Sequence, residues 1–156
     1  MIPCRALWVY AGRMNEKPES ESVGPGSIPA VAKQRAPTER ESILGLRIEV
    51  VAPDQLPDLP AAVEVAAYRI VQEALANVVR HAQAHRCGIC LSCENDLLHV
   101  EVSDDGVGLP ESYHTGVGLL SMHERAAELG GTCEIASLPE GGTRVLACLP
   151  RSMHDQ

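Results

Sequence analysis

AAVEVAAYRIVQEALANVVRHA, residues Ala61–Ala82, carries the periodicity that decides the fold. At about 100° per residue, Ala67, Val71, Ala74, Leu75, Val78 and Ala82 fall on one apolar stripe, which predicts an amphipathic helix. Arg69, Glu73, Asn77, Arg80 and His81 gather on the opposite half. A polar helix face is ordinarily solvated surface. This one also sets a carboxylate and an amide at i and i+4, Glu73 and Asn77, which converge on one point.

Working outward, Leu44 to Val51 alternates apolar and polar residues and reads as a strand, joined to the helix by a Pro/Asp-rich connection over Pro53 to Pro60. Beyond the helix, Cys87 to Cys93 and Leu97 to Asp104 read as a hairpin around Glu94-Asn95-Asp96. Leu98, Val100 and Val102 point one way and His99 and Glu101 the other. Asp104 continues the apolar register, so its carboxylate is expected on the buried side, where an unpaired charge is costly. Gly116 to Leu129 reads as a second helix, with Leu119, Met122, Ala126 and Leu129 on one face and Gly130-Gly131 stopping it. Thr132 to Ser137 and Thr143 to Leu149 are two closing strands. The order strand, helix, hairpin, helix, hairpin predicts an α/β (α+β) fold: a two-layer sandwich whose mixed, mostly antiparallel sheet has its helices on one face.

A chain of 156 residues is one domain by length, with 45% hydrophobic residues and no Phe, so its core must be aliphatic. Between Asn15 and Ser42 lie four prolines among Gly, Ser and charges, and residues 1–42 read as a disordered or linker-like segment. The domain is expected over 43–150, with 151–156 as a tail. A net charge of −8 argues against nucleic-acid binding, which relies on clustered Lys and Arg. No apolar run approaches the roughly 20 residues that span a bilayer, so no membrane contact by this chain is expected. Residues 2–11 are apolar but short, with no small-residue cleavage pattern behind them, so no secretory signal is expected, and a cytoplasmic location with reduced thiols is the expectation. Cys87, Cys90 and Cys93 superficially suggest a metal site. On a strand, however, residues three apart face opposite sides, so the spacing does not converge.

The glycines point to chemistry. Asp104-Asp105-Gly106-Val107-Gly108 ends a strand and Gly116-Val117-Gly118-Leu119 opens a helix, which puts four glycines around the short loop Leu109 to Thr115. Glycine permits close backbone approach to a ligand, and a helix N-terminus favours phosphate. Gly141-Gly142-Thr143 adds a turn between strands. Neither a P-loop nor a dinucleotide-binding fingerprint is present.

Taken in order, AAYRIVQEALANVVRHA, VSDDGVGLP, GVGLLSMHERAAELGG and EGGTRVLACLP resemble the catalytic ATP-binding domain of bacterial two-component sensor histidine kinases. The likeness is to the subfamily paired with helix-turn-helix response regulators, within the superfamily that includes gyrase, Hsp90 and MutL ATPases. It covers about Leu44 to Pro150 and implies ATP and Mg²⁺ as cofactors. Asn77 then matches the Mg²⁺ ligand and Glu73 the acidic residue that helps activate the phosphoacceptor. Asp104 matches the acceptor of the adenine amino group. Gly106, Gly108, Gly116 and Gly118, with Val117 and Leu119, match the loops flanking base and phosphates, and Thr143 a hydroxyl near the adenine. Arg80 and His81 match phosphate contacts more loosely. Leu109 to Thr115 matches a short ATP lid.

The resemblance implies transfer of the ATP γ-phosphoryl group to a histidine on a dimerisation domain, and downstream to a response regulator. Yet no His precedes His81, none of the six sits in an acceptor-like helix, and His123 stands where the family more often has Arg. The chain therefore reads as a catalytic module whose acceptor is separate or missing. Two alternatives use the same residues: a serine kinase and binding module of the anti-sigma-factor type, and a non-catalytic ATP-binding regulatory remnant.

Overall fold

The computed structural model describes residues 39–43, 45–53, 56–109 and 116–152. Residues 1–38 and most of the expected lid lie outside them. The chain runs β1 (Glu39–Ile43), β2 (Leu46–Val51), α1 (Ala61–Asn77), a π-helical turn (Val78–Ala82), β3 (Arg86–Glu94), β4 (Leu97–Asp104), α2 (Val117–Glu128), β5 (Thr132–Ser137) and β6 (Thr143–Pro150).

The strands form one sheet in the order β1-β2-β3-β4-β6-β5. Among the described strands only β2 and β3 pair in parallel, with Ile48 opposite Cys87; the other neighbours are antiparallel. A parallel pair needs a crossover, and α1 supplies it. The two α-helices among the described residues pack on one face: α1 against β4, β6 and α2, and α2 against β5 and β6. The expected two-layer mixed sandwich is what forms.

The core is aliphatic. Ile70, Val63, Met122, Leu98, Val100 and Leu149 have at most 2% of their surface exposed. The predicted stripe of α1 is buried at Ala67, Val71, Ala74, Val78 and Ala82, with Leu75 partly so. Val63, Ala66 and Ile70 widen it on the side that meets the sheet.

Two boundaries differ from expectation. A strand begins at Glu39, inside the segment read as a linker, and pairs antiparallel with β2. Gly45, at φ +83°, makes the turn between them, so the strand expected from Leu44 starts at Leu46. The single helix expected over Ala61–Ala82 is α-helical only to Asn77; Val78–Ala82 widens into a π turn, and Gln83 ends it in the left-handed region. Hydrophobic periodicity does not register one residue of slack near a helix end.

The other turns follow their residues. Asn95 and Asp96 both have positive φ, which makes the β3–β4 connection the primed two-residue turn that suits twisted strands. Helix α2 ends as expected: the Gly131 amide donates to the Ala126 carbonyl at 2.8 Å and the Gly130 amide to Ala127 at 2.9 Å. Cys87 faces the helices and Cys90 packs with Val51 in a separate cluster, so the strand does set these thiols on opposite faces. Among the described residues no group of three or more His, Cys, Asp or Glu is arranged to hold a metal, and no helix is long and apolar enough to cross a membrane.

Candidate functional site

A cleft of about 320 Å³ opens where the end of α1 meets the ends of β4 and β6. Asn77, His81, Asp104, Gly108, Leu119 and Thr143, six of the residues singled out from sequence, line it. Its walls are mostly apolar, with Val78, Val102, Ile135 and Val145 among them. An apolar slot with a few convergent polar groups is the usual build of a small-molecule site.

Asp104 is the polar centre. It lies two residues beyond Val102 on β4, so the strand's alternation turns it inward, and only 3% of its surface is exposed. The Gly106 amide donates to its Oδ1 at 2.8 Å, which leaves acceptor capacity on the carboxylate. Burial pushes its carboxyl above the ordinary range, amides of Gly106 and Thr143 pull it back, and Asp105 raises it again. Cys87, opposite Asp104 in the β3–β4 register, has its thiol pushed up to about 12 by burial and by these two aspartates.

Asp105 does different work. Its Oδ1 accepts from the amides of His85 at 2.8 Å and Arg86 at 2.9 Å, tying the strand end to the start of β3. Two adjacent aspartates thus divide into one that faces the cleft and one that holds the chain around it.

The glycines of the motifs let backbones touch. A Cβ on Gly106 would overlap the Ala82 carbonyl oxygen, the same oxygen that accepts the Val107 amide at 2.9 Å. Gly142 has φ +96°, and a Cβ there would overlap the Asp104 carbonyl oxygen. The π turn and the β5–β6 turn therefore close on the loop after Asp104 from two sides.

The remaining candidates sit around the cleft rather than in its described lining. Glu73 is half-buried one turn before Asn77, its carboxylate against Gly118 at the start of α2. Gly116 caps α2 and Val117 is 88% exposed. Arg80 is exposed on the π turn. Sequence reasoning named Val78 and Val102 only as core-facing residues and did not single out Ile135, Val145 or Ser137, whose Oγ accepts the Leu109 amide at 2.9 Å. The strand register could have placed Val102 and Val145 in the cleft wall, each two residues from a chosen polar position. Nothing local marks Ser137, since its partner is 28 residues away.

The family model for histidine kinase-, DNA gyrase B- and HSP90-like ATPases matches residues 62–153, more than half of the chain. The chain belongs to this ATPase family. Curated relatives of the ATPase domain include the sensor protein VraS of Staphylococcus epidermidis, 37% identical over 90 residues, covering 56% of this chain and 26% of that protein. VraS of Staphylococcus aureus is 35% identical over 99 residues, covering 62% and 28%. The chain thus spans about a quarter of the length of these relatives. Among solved structures, the ATP-binding domain of PrrB from Mycobacterium tuberculosis superposes with a TM-score of 0.54 at 26% identity, covering 70% of this chain and 83% of that one. The histidine kinase domain of the blue-light activated kinase from Erythrobacter litoralis shares the fold, with a TM-score of 0.61 at 23% identity over 70% of this chain and 53% of that one.

Proposed function

We propose that this ATPase domain is the Mg-ATP-binding catalytic module of a two-component sensor histidine kinase, acting in the cytoplasm. The observation that carries the reading is Asp104, a buried carboxylate with spare acceptor capacity at the heart of an apolar cleft. An adenine ring would suit such a slot: the apolar side chains of Val78, Val102, Ile135 and Val145 would pack on it, and Asp104 would accept from its exocyclic amino group. Thr143, which lines the same wall, contributes a hydroxyl near the base.

The phosphates then extend toward Asn77 and His81, with Gly108 and the start of α2 nearby, and Gly116, Val117 and Gly118 offer a helix N-terminus for negative charge. Arg80 is a looser candidate on the same turn. Asn77 would hold Mg²⁺ through its side-chain amide oxygen, a donor that suits a hard, oxygen-seeking cation. When bound, Mg²⁺ would neutralise phosphate charge. The chain's own part is to hold the base, align the phosphates and keep Glu73 beside the reacting end, since phosphoryl transfer of this kind is mainly positioning.

The acceptor histidine is assigned to a dimerisation domain outside residues 43–150, and the phosphoryl group passes from it to a response regulator. The likeness to the VraS sensor proteins favours this over a serine kinase. The test is a trans-phosphorylation assay with an isolated acceptor domain from a related kinase. Acid-labile phosphohistidine is expected. Acid-stable phosphoserine on a partner protein, or no transfer by a chain that binds ATP, would overturn the histidine kinase reading.

A further inference from the structure

We infer that Ser137 is a positioning residue for nucleotide binding, acting through the Leu109 amide. The inference rests on the nucleotide reading of the cleft and adds a residue to it. Val107, Gly108 and Leu109 are three consecutive residues of the cleft wall. They continue from the strand that carries Asp104, but they belong to no helix or strand. Such a segment holds a ligand-ready shape only if other parts of the fold tie it down.

Two ties are present, at its two ends. The Val107 amide donates to the Ala82 carbonyl at 2.9 Å, which fastens the segment to the π turn. The Leu109 amide donates to Ser137 Oγ at 2.9 Å, which fastens it to the last residue of β5. Between them Gly108 sits at φ +77°, where a Cβ would come within 3.3 Å of Ser137 Oγ and 3.1 Å of the Gly142 carbonyl oxygen. The backbone therefore passes close under the β5–β6 turn, and the hydroxyl fills the space a side chain would take.

Ser137 also stands opposite Thr143 in the β5–β6 register. One hydroxyl of this pair lines the cleft, and the other holds the opposing wall at a fixed distance from it. Without Oγ, the Leu109 amide turns to water and the segment samples more backbone states. Nucleotide must then order it on binding, an entropic cost that weakens affinity without removing any ligand contact. A hydrogen bond of ordinary strength corresponds to about a fivefold loss of affinity.

The test is calorimetric titration of the full chain, wild type, S137A and S137T, with Mg-ADP, alongside thermal melts without nucleotide and hydrogen exchange at the Leu109 amide. In S137A the Kd should rise about fivefold, and the nucleotide-free chain should still melt cooperatively, lower than wild type by only the few degrees that one hydrogen bond is worth. S137T keeps the hydroxyl and should restore wild-type affinity. In the unmutated chain the Leu109 amide should exchange more slowly than an unstructured amide. S137A binding as tightly as wild type, or S137T binding as weakly as S137A, overturns the inference while leaving the cleft reading intact. If S137A does not fold, the wild-type amide decides: protection supports the tie, and free exchange overturns it. A wild-type chain that binds no Mg-ADP overturns the nucleotide reading, and this role for Ser137 with it.

Discussion

Asp104 pays for its place in the cleft, and that penalty makes the residue testable twice. Its carboxyl is raised chiefly by burial, so near neutral pH the buried carboxylate is a net cost to the folded state. The sign follows: the folded state holds the proton more tightly than the unfolded chain does. Its contribution therefore improves as pH falls through the raised folded value toward the ordinary one of 3.8. Asp104→Asn keeps an oxygen for the Gly106 amide but removes the charge. The nucleotide-free variant should melt no lower than wild type at neutral pH, with any gain disappearing in acid; a clear loss of stability at neutral pH would contradict this. Adenine nucleotide affinity should nonetheless drop by roughly 10- to 100-fold, the worth of a hydrogen bond to a charged group. Asn77→Ala should cost mainly the Mg²⁺-dependent part of binding, read as the ratio of Kd with and without the ion; an unchanged ratio would exclude Asn77 as the ligand.

Among the elements, the helix α1 and the π turn after it do the most to shape the site. The turn brings the Ala82 carbonyl to the Gly106–Val107 backbone, where no Cβ fits. Gly106→Ala should therefore destabilise the domain by about 1–3 kcal/mol, because the clashing atom is backbone and cannot swing away. Ile70→Ala, at a position with no exposed surface, should cost about 2–5 kcal/mol in chemical denaturation. A value under 1 kcal/mol at either position would mean the helix–sheet contact is looser than described. What was legible here was periodic. The stripe of α1, the inward register of Asp104 and the glycine stop of α2 repeat at 3.6 or 2 residues or follow fixed end rules. The π turn and the Gly45 turn were missed because one inserted residue in a helix end, or two residues of shifted strand start, leaves the hydrophobic pattern almost unchanged. Ser137 was missed because its partner is set by how two distant turns stack.

At the scale of the whole molecule, a mixed sheet with both helices on one face puts the ends of α1, β4 and β6 around one opening. Asn77, Asp104, Leu119 and Thr143, far apart along the chain, all line that opening. That is why four short motifs, each weak, were informative together: the fold brings them to one place. The opening is, on the proposed function, an adenine nucleotide site read by Asp104. A carboxylate accepts from the amino group of adenine but faces the carbonyl oxygen that guanine carries at the same position. Calorimetric titration with Mg-ADP and Mg-GDP under the same conditions tests this most directly. Saturable binding of Mg-ADP, with Mg-GDP bound at least tenfold more weakly by the roughly 1.4 kcal/mol that a lost charged hydrogen bond exceeds, is the predicted result. No binding of either, or equal binding of both, would contradict it.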